Sequence, residues 1–78
     1  MAKTPARRGE DHSPEYCAWV RSVLDRAFAA TGVLSDFQAR FIADFDQRFA
    51  RYGARTAISV KQHNVLHDID GKLRREGL

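Results

Sequence analysis

A chain of 78 residues with a net charge of +3 has room for one domain, and its 44% hydrophobic content, with five Phe and one Trp, is that of a globular protein. The single cysteine, Cys17, excludes an internal disulfide and a cysteine-based zinc site, and it favours a reducing, cytoplasmic setting. The expectation is of a chain with neither a secretory leader nor a membrane span, because no apolar run approaches either pattern.

Residues 1–12 read as a disordered N-terminal arm. Pro5 and Gly9 interrupt it, Lys3, Arg7 and Arg8 mix with Glu10 and Asp11, and no apolar periodicity appears. The domain is expected over residues 13–78. Ser13-Pro14 opens it, serine as an N-cap and proline at the first helical position, where its missing N–H costs nothing.

A first helix is predicted over about 14–31. Tyr16, Trp19, Val20, Val23, Leu24, Ala27 and Phe28 recur at three- and four-residue spacing and share a face, while Gly32 is the predicted stop in a left-handed conformation. A second helix is predicted over 36–52. The capping box Ser35-Asp36-Phe37-Gln38 announces it, and Phe37, Phe41, Ile42, Phe45, Phe49 and Tyr52 form a wide aromatic stripe. Asp44 is placed to pair with Arg40 or Arg48, and Gly53 ends the helix. A second capping box, Ser59-Val60-Lys61-Gln62, opens a third helix over about 60–76, with Val65, Leu66, Ile69 and Leu73 facing inward. Gly71 costs this helix about 1 kcal/mol relative to alanine, so fraying of its last turns is expected. The fold class is therefore all-α, a compact three-helix bundle with a flexible arm.

The segment joining the second and third helices contains no acidic residue and carries Arg48, Arg51, Arg55 and Lys61. It runs into a helix N-terminus, whose unpaired N–H groups attract anions. Arg51, Tyr52, Arg55, Thr56, Lys61 and His63 are accordingly the candidate nucleic-acid or anion-binding residues, with the cations and Thr56 on phosphate and Tyr52 stacking on a base. The same residues also have purely structural uses: Arg51 and Arg55 neutralise a helix C-terminus, Ser59 and Gln62 cap, and Tyr52 packs in the core.

His63, His67 and Asp70 could share a face and hold a divalent ion, but the spacing lacks the glutamate of the zinc-protease pattern, so a solvated polar face is expected and no metal is assigned. Cys17 lies in the first turn of a helix, where the dipole can lower a thiol pKa, yet no histidine partner is identifiable for it. With no acid–base pair and no Gly-rich phosphate loop, the sequence argues against an enzyme, and no cofactor is expected. The alternative to nucleic-acid binding is a protein-interaction or self-association domain using exposed apolar residues such as Val60, as a monomer or weak homodimer.

The order Phe37-Gln38, Phe41-Ile42, Phe45, Tyr52-Gly53 and Ile58-Ser59-x-Lys61-Gln62-x-x-Val65-Leu66-x-x-Ile69, within residues 34–73, resembles small helical modules of phages and bacteria. Some of these occur beside recombination or replication genes, including a small protein associated with a T4-type phage helicase. The resemblance implies an accessory role in DNA metabolism, with DNA, RNA or a DNA-processing protein as partner, and it carries no catalytic motif.

Overall fold

The computed structural model describes residues 11–78. Three helices follow one another: α1 (Pro14–Ala29), α2 (Asp36–Tyr52) and α3 (Val60–Arg75), with 3-10 turns at Thr31–Val33 and Gly53–Arg55. The described residues contain no strand, and the fold is the three-helix bundle the sequence predicts.

The caps set the helix starts. Ser13 Oγ accepts from Tyr16 N–H at 3.1 Å, and both capping boxes are complete, with Ser35 and Gln38, and Ser59 and Gln62, each satisfying the other's backbone N–H. Helix ends follow a different rule. α1 stops at Ala29, two residues before its predicted end, and Gly32 lies in a 3-10 turn without a positive φ. Ala30, Val33 and Leu34 pack partly into the core, so tertiary contact rather than a left-handed glycine turns the chain there. Gly53 does have φ +55° with ψ −129°, a region that favours glycine, and it ends α2 as expected.

α3 ends in a Schellman motif. Leu78 N–H reaches Leu73 C=O at 2.9 Å, and Gly77, at φ +79°, donates to Arg74 C=O at 3.0 Å. Helical geometry persists through Gly71 to Arg75. A Cβ at Gly71 would meet only Arg75 Nη1, at 3.8 Å, an ordinary contact. Gly71→Ala is expected to stabilise the domain by about 0.5–1 kcal/mol, read as a higher urea midpoint at unchanged m.

α1 is the shared partner of the bundle, packed against both α2 and α3. Its neighbours give the directions: Tyr16 meets His63 and Arg26 meets Asp70, so α1 and α3 run parallel with α2 antiparallel to them. The core is Val20, Val23, Leu24 and Ala27 from α1, Ile42, Phe45 and Phe49 from α2, Ile58 from the connection, and Leu66, Ile69 and Leu73 from α3. Three members of the predicted stripes, Phe28, Phe37 and Tyr52, are exposed outside it. Phe28 is 44% exposed and Phe37 65% exposed, because each sits at the edge of an arc wider than the contact surface. The predicted Asp44 pairings do not form among the described residues. Arg48 instead lies over the Phe45 ring at 5.9 Å, and Arg21 takes Asp46 at 2.6 Å.

Candidate functional site

The α2–α3 junction is a short, tightly hydrogen-bonded connection. Gly53 C=O accepts from both Thr56 N–H at 3.0 Å and Thr56 Oγ1–H at 2.7 Å, and Ile58 plugs the core. Thr56 is therefore buried and its hydroxyl is occupied, which removes it from the predicted anion-binding set. Arg51, Tyr52, Arg55 and Lys61 are exposed, and Arg51 lies over the Tyr52 ring at 5.7 Å. Tyr52 is thus at the surface, not in the core.

Residues 1–10 of the expected arm lie outside the described residues, and His12 lies within them. It is buried, its N–H donates to Ala54 C=O at 2.8 Å, and its Nε2–H donates to Thr56 C=O at 2.8 Å. The histidine assigned to the arm therefore pins the start of the domain onto the junction.

His63 is only partly exposed and faces α1. The Tyr16 hydroxyl and His63 Nδ1 share a hydrogen bond at 2.8 Å. Burial, with a smaller contribution from Cys17, pushes the Tyr16 phenol up to about 12, so it stays protonated. Burial and the neighbouring His67 lower the His63 pKa and favour the neutral ring. Trp19 completes the group. Its ring lies 4.5 Å from that of His67 and 5.9 Å from that of His63, while His12 lies 5.0 Å from Tyr16. Together with Ser13 and Glu15, the rings of Tyr16, Trp19, His63 and His67 line a cleft of about 360 Å³ between the first turns of α1 and α3, near the lower end of the range for small-molecule sites (about 300–1,000 Å³).

This cleft is what the sequence reading missed. Its signal was present in two halves, since Tyr16 and Trp19 share one face of α1, and His63 and His67 one face of α3. Nothing local says that those faces meet.

Asp70 is not part of the histidine cluster. It is buried and held by Arg26 and Arg74, contrary to the solvated face expected for it. Among the described residues no group of three or more His, Cys, Asp or Glu side chains could hold a metal ion. Burial, with Asp11 nearby, pushes the Cys17 thiol up, the opposite of what an activated nucleophile requires. Among the described residues no helix is long and apolar enough to cross a membrane.

No family model matches the chain, and comparison with curated proteins and with solved structures finds no significant match.

Proposed function

We propose that this protein is a small, non-enzymatic accessory module of DNA metabolism that binds nucleic acid weakly through the α2–α3 junction. The observation that carries the reading is the state of the junction cations. Arg51, Arg55 and Lys61 are exposed, and no carboxylate of the described residues pairs with any of them. The acids nearest in sequence on either side are Asp46, engaged by Arg21, and Asp68, a full two turns into α3. Cations that no described carboxylate engages, beside a helix N-terminus, suit phosphate contacts, which position a strand without reading its sequence. The resemblance of residues 34–73 to phage and bacterial DNA-metabolism modules supports the same reading.

Arg55→Ala is expected to weaken binding to single-stranded and duplex oligonucleotides alike, and to lower the slope of log K against log salt by about 1. Titrations across a salt series check this. Binding that ignores salt, or an unchanged slope in the variant, contradicts it.

A second reading is favoured by the exposure of Phe37 at 65% and Val60 at 64%, which suits docking to a protein or to a second copy of the chain. Sedimentation that changes with concentration, together with indifference to DNA, selects that reading.

A further inference from the structure

We infer that the cleft between α1 and α3 is a receptor for a planar heteroaromatic ring, an unpaired nucleobase of a strand whose phosphates lie on the α2–α3 junction; this rests on the function proposed above. The walls are the first reason. Tyr16, Trp19, His63 and His67 present four rings to a space of about 360 Å³, and base stacking on such faces is tolerant of sequence.

The walls are also fixed before any ligand arrives. The Tyr16–His63 hydrogen bond at 2.8 Å and the edge-on contact of His63 with His67, centroids 4.5 Å apart, hold both sides of the cleft. Little side-chain freedom remains to be lost on binding. Glu15 is the one carboxylate on the lining, and as a carboxylate it only accepts, which suits a donor such as the exocyclic amine of adenine, cytosine or guanine.

Position is the third reason. His12 holds the Thr56 carbonyl of the junction with one ring nitrogen and rests its ring 5.0 Å from Tyr16. One residue thus joins the basic connection to the aromatic wall. A compact organic cation would also find aromatic faces and a carboxylate here. Two parallel helix N-termini, capped by Ser13 and Ser59, and the nearby Arg55 and Lys61 all oppose a positive ligand at this end.

Trp19 is the only tryptophan, so its fluorescence in the full chain reads the cleft directly. The probes are adenosine, single-stranded oligo-dA, inorganic polyphosphate and tetramethylammonium. Adenosine and oligo-dA are expected to quench Trp19 and to shift the His63 and His67 ring signals, whereas polyphosphate leaves them unchanged. His67→Ala removes an exposed ring with no place in the core and is expected to weaken oligo-dA binding about 5- to 100-fold, with helix content intact. Trp19→Phe, which keeps a stacking ring, is expected to lose less.

The failures separate. Salt-sensitive oligo-dA binding that needs Arg55 but neither quenches Trp19 nor responds to His67→Ala overturns the cleft and leaves the junction standing. Adenosine quenching with strand binding indifferent to salt and to Arg55→Ala supports the cleft and removes the phosphate site. Quenching by tetramethylammonium with adenosine silent overturns the inference in favour of a cation receptor.

Discussion

Phe45→Ala is expected to lower the melting temperature by about 15–30 °C, or to leave no cooperative transition at all. Phe45 heads the fully buried side chains of the domain, at 1% exposure. Its ring stacks on Phe41 at 5.4 Å and on Phe49 at 6.2 Å, and Arg48 covers it at 5.9 Å. Truncation loses the transfer energy of a phenyl ring and leaves a cavity lined by helices that cannot close, together about 3–5 kcal/mol. A domain of this size has only about 4–12 kcal/mol in total, and small domains lie toward the bottom of that range. Phe37→Ala is the control, because that ring belongs to the same sequence stripe but is 65% exposed. Thermal melts followed by circular dichroism compare the two, and equal shifts would contradict the packing described.

Asp70→Asn is expected to cost about 2–3 kcal/mol at neutral pH, with Asp70→Ala at the upper end or beyond. The carboxylate is buried and shared by Arg26 from α1 and Arg74 one turn on, and Arg26 also donates to Leu78 C=O at 3.2 Å. Removing the charge leaves a partly buried guanidinium without its counter-ion, which is the expensive way to break such a pair. Burial by itself would raise the Asp70 pKa, but the hydrogen bonds and charge of Arg26 and Arg74 outweigh it and hold the carboxyl below its ordinary 3.8. The folded state therefore favours the ionised form more than the unfolded state does. Its contribution is complete above pH 3.8 and is lost as pH falls through the lower folded value. Urea denaturation at several pH values should show the gap between native protein and Asp70→Asn closing in acid. A gap that stays constant from neutral pH down to about pH 2 would show that the ion pair is not its source.

What was legible in the sequence divides along the range of the interactions. Ser13, Ser35, Ser59, Gln38 and Gln62 were readable because capping is settled within four residues of chain. The periodic Val20, Leu24, Ile42, Phe45, Leu66, Ile69 and Leu73 were readable because a buried face recurs every turn. Phe28 and Phe37 were misplaced because periodicity gives the direction of a stripe and not the width that neighbouring helices cover. Thr56 was misjudged because a loop hydroxyl has two outlets, and here the local one, Gly53 C=O, wins.

Asp70 and the aromatic cleft lay beyond the reach of pattern. The partners of Asp70 and His63 on α1 are Arg26 and Tyr16, each more than forty residues away in the chain. Of the candidate site, the exposure of Arg51, Arg55 and Lys61 was anticipated from charge alone. The wall that Tyr16 and Trp19 offer to His63 exists only once α1 and α3 lie side by side.

The central position of α1 bears on what counts as a unit in this protein. α1 supplies four of the eleven buried apolar residues and borders both other helices, whereas residues 34–73 contain only α2, the connection and most of α3. Excised, that stretch would keep both of its capping boxes and lose the surface its apolar side chains are shaped to cover. Residues 34–73 are therefore not a folding unit by themselves. The smallest physical unit here is the whole bundle, α1 included.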